Sequence, residues 1–239
     1  VKKLFVLGAA LLVAQAIFVA SADARSHRPV MAVAEFHDNA GVAWWNTGVG
    51  WDLSDMLTNE LADTGDFRMV ERSKLQHVLG EQDLGASGRV SRHTAARIGK
   101  LTGARYLVMG SISSFQQNTQ SSGGGFSIGG ISIGNKSTHA YIAVDLRVVN
   151  TRTGEIEYSR TVEAHTKGSG VSLGLSHGGF SGHLNEQKKT PAGKAIRAVI
   201  MEASDYLSCV MVERDSCMKD YAAKERRRRR HTLNSVDLE

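Results

Sequence analysis

Cysteine is nearly absent. Cys209 and Cys217 are the two in 239 residues, too few for a disulfide-built scaffold. With no histidine pair near them they also fall short of a tetrahedral metal set. Eight positions apart, they are candidates for one local bridge, with two free thiols as the alternative. Proline is equally scarce: Pro29 and Pro191 are the two, and each stands at the head of an element. The nine histidines show no H-x-H or H-E-x-x-H spacing, so no metal or cofactor is expected. His177 and His183 are neighbours only inside a glycine-rich stretch, where solvated loop positions account for them.

A dispersed basic face is missing too. The formal charge is +5, of which residues 1–24 supply +1 and Arg226 to Arg230 supply +5, leaving −1 for everything between and beyond. That near-neutral body excludes a nucleic-acid partner, and the arginine run has no interleaved aromatics for base stacking. The run reads as a solvated basic tail, residues 209–239, with anionic lipid or another acidic surface as the alternative.

Catalytic constellations are lacking as well. Two G-x-S-x-G matches, around Ser127 and Ser132, sit in a glycine-serine tract, whereas a nucleophile elbow needs a buried strand before it and a helix after it. The stretch Gly134-Asn135-Lys136-Ser137-Thr138 has asparagine where a phosphate loop has glycine, and no helix signal follows it. No acid and base converge, so the chain is not expected to be an enzyme.

What is present begins with Lys2-Lys3, an apolar run from Leu4 to Ala20, and small-residue cleavage sites up to Ala24. This predicts a secretory signal peptide over residues 1–24 and export. Val30 to Phe36 is apolar at nearly every position, which suits a strand covered on both faces. A helix is predicted with Leu53, Met56, Leu57 and Leu61 on one face, closed by Thr64-Gly65. Phe67 to Val70 reads as a second strand. Ser73 and Gln76 form a capping-box pattern for the next helix, with Leu75, Val78 and Leu79 on its face. Ser91 caps a third predicted helix carrying Ala95, Ile98 and Leu101 and ending at Thr102-Gly103. Tyr106 to Met109 is a central strand. Ile142, Val144, Leu146 and Val148 alternate with more polar neighbours, and NTRTG turns the chain into a returning strand through Ile156, Tyr158 and Val162. Thr190-Pro191 opens a last helix with Ile196, Val199, Ile200, Ala203 and Leu207 on its inner stripe.

Two glycine-serine tracts interrupt this α+β domain of residues 29–208, at about 113–140 and 163–188. Linkers would join domains rather than interrupt one. Read as β-hairpins, the tracts carry Phe126, Ile128, Ile131 and Ile133 in the first and Val171, Leu173, Leu175 and Phe180 in the second, apolar positions suited to lipid or to a neighbouring copy.

Several motifs in order, Thr64-Gly65-x-Phe67-x-x-Val70-Glu71-Arg72, Glu81-Gln82-x-Leu84, Leu101-Thr102-Gly103-Ala104-x-Tyr106-Leu107-Val108-x-Gly110-Ser111-Ile112 and Leu146-Arg147-Val148-Val149-Asn150-x-x-Thr153-Gly154-Glu155-Ile156, resemble the CsgG family of curli secretion channel subunits. The resemblance implies a periplasmic α/β-type domain from which two hairpins per subunit join a ring of identical subunits into an outer-membrane β-barrel passing unfolded polypeptide. It implies as partners the chain itself, a secreted polypeptide, outer-membrane lipid and periplasmic accessory proteins. The loop holding Trp44, Trp45 and Asn46 matches the family's constriction loop. Curli-type members resemble lipoproteins, whereas no cysteine follows this signal segment. A soluble periplasmic interaction module without a pore is therefore the alternative.

Overall fold

The computed structural model describes residues 28–121, 127–128, 131–132, 136–167 and 190–235, with side chains described outside 118–138 and 167. In chain order the described elements are β1 (Val30–Val33), β2 (His37–Asp38), α1 (Val49–Thr64), β3 (Arg68–Met69), α2 (Leu75–Ala86), β4 (Tyr106–Ser121), β5 (Ser127–Ile128), β6 (Ile131–Ser132), β7 (Lys136–Asn150), β8 (Ile156–Lys167), α3 (Pro191–Ser208), a π-helical turn (Cys209–Glu213) and α4 (Cys217–Asn234). Six strands form one mixed sheet in the order β3-β1-β4-β7-β8, with β2 also pairing on β4. The pairs β1/β3, β1/β4 and β2/β4 are parallel, and β4/β7 and β7/β8 are antiparallel. The fold is mixed α+β.

The apolar run predicted as a doubly covered strand is β1, where Met31, Ala32 and Val33 are buried between β3 and β4. Helices α1 and α3 pack on the sheet and on each other. Leu53, Leu57 and Leu61 of α1 and Ile196, Val199, Ile200, Ala203 and Leu207 of α3 join one core with Val108, Ile112, Ile142, Val144, Leu146 and Val148 of the sheet. Each fully buried leucine or isoleucine there contributes about 1.5–3 kcal/mol. The ends of both helices follow their sequence signals. Gly65 takes the left-handed conformation at φ 74° and its N–H donates to Ala62 O. Thr190 Oγ1 accepts from Gly193 N–H at 3.1 Å ahead of Pro191.

Two glycines are explained by close approach. Phe36 is buried across β4 where the chain passes Gly110, and a Cβ at 110 would fall under 3.0 Å from three atoms of its ring. Gly50 lets the first turn of α1 meet the backbone at Phe36, whose N–H donates to Gly50 O at 3.1 Å. The NTRTG turn also forms as read. Asn150 N–H donates to Glu155 O, Asn150 Oδ1 accepts from Arg152 N–H, and Gly154 sits at φ 77°.

Several expectations change. Residues 91–105 form turns and irregular backbone instead of a helix. Gly99 is left-handed at φ 78°, and Ile98 and Leu101 are 64% and 47% exposed. A short helix whose apolar face finds no core to pack against does not sustain itself in water. The capping box at Ser73 and Gln76 does not form either. Helix α2 starts at Leu75, and the Ser73 hydroxyl faces the carboxylates of Asp55 and Glu71 instead. Those carboxylates are the stronger acceptors, and Glu71 Oε1 takes the Lys74 N–H at 3.0 Å in the role the serine was expected to play. Regular pairing in the first tract extends to Ser121 and resumes at Lys136, several residues before Tyr141.

Candidate functional site

The antiparallel ladder of β4, β7 and β8 continues past the core at one end of the sheet. Ile142, Ala140 and Ala164 are buried and Phe115 is partly so. Beyond them β4 and β7 stay in register through Asn118↔His139 to Ser121↔Lys136, and β7 pairs β8 as far as His139↔Lys167. Thr166 Oγ1 donates to Pro191 O at 2.9 Å, so the second tract leaves and returns at this same end. Both glycine-serine tracts therefore attach where three strands exit together. Among the predicted hairpin residues, Ile128 and Ile131 lie opposite each other in the β5/β6 pair. Phe126, Ile133, Val171, Leu173, Leu175 and Phe180 lie outside the described residues.

The Trp44–Asn46 loop lies beside that exit. β2 pairs with Ser111 and Ile112 of β4, and the Asp38 carboxylate accepts from Ala40 N–H at 2.9 Å and Val42 N–H at 2.7 Å, folding the chain back at once. Trp45 N–H donates to Val42 O at 2.9 Å. Trp44 stands edge-on to Phe115 with centroids 5.3 Å apart and 6.4 Å from Trp45. Both tryptophans are half-buried against the core, and Asn46 is exposed. The aromatic pair thus anchors the loop to β4 just before the strand departs.

The C-terminal region packs along α3 and β8. Cys209 and Cys217 form a disulfide with Cα atoms 6.0 Å apart, and Arg214 between them is left-handed at φ 52° with its N–H on Cys209 O. Their donor atoms and that of Glu213 lie within 4.8 Å of one another, but the sulfurs are joined to each other. Residues 217–234, within the stretch read as a solvated tail, are helical and packed. Arg160 of β8 holds them: its guanidinium lies 5.0 Å from the ring centroids of both Tyr206 and Tyr221 and donates to Tyr221 O at 3.0 Å. Burial pushes both phenols above the ordinary tyrosine range, with Arg160 opposing the rise. Lys224 pairs with Glu202 at 2.7 Å. Hydrogen bonds from Arg228 hold the Glu225 carboxyl below its ordinary range. The sequence reading missed Arg160. Its signal was a charged residue at the inward phase of β8, in line with Val162 and Ala164.

A cleft of about 450 Å³ lies between α4 and β7/β8, lined by Asp145, Arg147, Thr161, Glu225, Arg228 and Arg229 among others. Asp145 accepts the Thr161 hydroxyl at 2.6 Å. Among the described residues, no helix is long and apolar enough to cross a membrane.

A family model described as curli production assembly/transport component CsgG matches residues 13–236. The curli production assembly/transport components CsgG of Salmonella typhimurium and Escherichia coli are each 33% identical over 135 residues, 53% of this chain and 49% of theirs. The chain thus spans about half the length of the curated relatives it matches. Among solved structures, the hypothetical protein CT253 of Chlamydia trachomatis is similar with a TM-score of 0.44 at 14% identity, covering 78% of this chain and 99% of that one.

Proposed function

The chain belongs to the CsgG family, and from that premise we propose that it is an exported subunit of a homo-oligomeric outer-membrane channel of the curli-secretion type, passing unfolded polypeptide. The observation that carries this reading is the joint exit of β4, β7 and β8, in register, from the end of the sheet to which both glycine-serine tracts attach. A ribbon of two or three strands without a core is marginal in water. In lipid an open strand edge leaves backbone groups unsatisfied, so such a ribbon spans only when copies complete a closed barrel. Past its pairing with β2 at Ile112, β4 has β7 as its one partner among the described residues. Its free edge suits a neighbouring subunit.

A second feature supports self-association. Between Leu75 and Gly103 only Gln82 is buried, and Val78, Leu84, Ile98 and Leu101 are exposed. Apolar surface the core does not use is what a copy alongside would cover. With subunits in a ring, the Trp44–Asn46 loops beside each strand exit would line the mouth, where side chains set the bore. In this reading the chain does no covalent chemistry. The alternative, a soluble periplasmic module, draws on one observation: the globular part completes a core of its own.

Detergent extraction of the envelope, particle imaging and planar-bilayer recording test the proposal together. Rings that carry single-channel current are expected, with a larger current for Trp45→Ala. A detergent-independent monomer without conductance would refute it in favour of the soluble module.

A further inference from the structure

We propose that the exposed arginines of α4 contact the anionic headgroups of membrane phospholipid. This rests on the channel reading in one respect, that the departing strands enter lipid. The direction of α4 carries the inference. α3 begins at the strand exit, where Thr166 meets Pro191, and its 18 residues carry the chain roughly 27 Å away. The Cys209–Cys217 disulfide then turns the chain, and α4 runs back. Tyr221 lies on Arg160, Lys224 on Glu202 and Arg228 4.0 Å from Glu163. On β8 the step from Arg160 to Glu163 leads toward Lys167, where pairing ends. From Arg228 to Asn234 the helix rises about another 9 Å. The arginine run therefore lies level with Glu163, four residues of β8 before Lys167, and its helix points on toward the end of the domain from which the strands leave.

Its faces are sorted for such a contact. Arg228 and Arg229 share the Glu225 carboxylate, while Arg226, Arg227 and Arg230 are exposed. Favourable interaction with the helix dipole does not account for them, since that effect is confined to the last turn and Arg226 and Arg227 lie well before Asn234. Guanidinium groups match phosphate oxygens bidentately. The near-neutral remainder of the chain makes this the concentrated positive charge of the molecule, directed toward the end where a headgroup layer would lie.

The test is flotation of the full chain with vesicles of phosphatidylcholine alone or mixed with phosphatidylglycerol, for wild type and for the triple variant Arg226→Gln, Arg227→Gln, Arg230→Gln. Each arginine near an anionic surface contributes roughly fivefold in partitioning, so the variant should lose on the order of 100-fold on anionic vesicles and nothing on neutral ones. Its thermal unfolding should match wild type, because Tyr221, Glu225 and Arg228 are retained. Equal partitioning of variant and wild type on anionic vesicles would overturn the contact. So would binding of the arginines to an acidic polypeptide or duplex DNA that anionic vesicles fail to displace. Planar bilayers separate the two ideas. Current that is indifferent to anionic lipid keeps the channel and overturns the contact; anion-selective flotation without current does the reverse.

Discussion

Replacing Gly110 with alanine should destabilise this protein although alanine is ordinarily the better strand residue. At an open strand position Gly→Ala gains about 0.4–1 kcal/mol by restricting the unfolded chain. Here the new methyl would fall under 3.0 Å from Cε1, Cζ and Cδ1 of Phe36. That ring is 1% exposed and enclosed by core, so it has nowhere to retreat. Overpacking of this kind costs about 1–3 kcal/mol, so the net loss should centre on about 1.3 kcal/mol once the entropic gain is subtracted. Urea unfolding at equilibrium reads it as a lower midpoint at unchanged slope. The discriminating measurement is the cycle with Phe36→Leu. The single variant Phe36→Leu loses packing, but the shorter side chain makes room for the methyl. The double variant should therefore be more stable than the two losses added, by about 1 kcal/mol or more. A neutral or stabilising Gly110→Ala, or strict additivity with Phe36→Leu, would refute the close-packing explanation of this glycine.

Arg160→Met keeps an unbranched apolar stem but removes two cation–π contacts and a charged hydrogen bond. It should lower stability by about 2–3 kcal/mol, and limited proteolysis should release α4 first. At alkaline pH, Tyr141, Tyr206 and Tyr221 should all ionise late in a tyrosinate difference titration, because burial raises each phenol, Tyr141 to about 12. Their folded pKa values lie above the unfolded one, so the stability they confer is complete below the ordinary tyrosine range and is lost as pH rises through the folded values. Glu225 works in the opposite sense. Its depressed pKa adds stability above the ordinary carboxylate range that is lost as pH falls through the folded value, which acid titration of Glu225→Gln against wild type will read. The pair Ile98→Asp, Leu101→Asp should leave monomer unfolding within about 0.5 kcal/mol, since both are exposed, while abolishing rings by native electrophoresis; intact rings would remove that surface from the subunit contact.

Local chemistry was legible where it had no competitor. Thr190 with Pro191, Gly65 after Thr64, and the Asn150-to-Gly154 turn each need only their own neighbours, and all three form as read. Alternation on β7 and the apolar stripes of α1 and α3 named the core because strand and helix periods sort residues without knowing the partner. Ser91 failed on the same ground that made the others succeed: the cap pattern is local, but a helix over 95–101 also needs a core to bury its apolar face, and Ile98 and Leu101 stay exposed. Ser73 failed because Asp55, distant in sequence, came within reach of its hydroxyl.

By itself, then, the amino-acid order determined an α+β body, two interrupting glycine-serine tracts and membership of a family, because these rest on composition, period and motif. Only the tertiary structure decided that both tracts depart from one end of one sheet, that Trp44 braces its loop on Phe115, and that an inward arginine on β8 returns the basic helix toward that end. Such facts belong to pairs of residues far apart in the chain, and a pair has no signature until folding brings its members together.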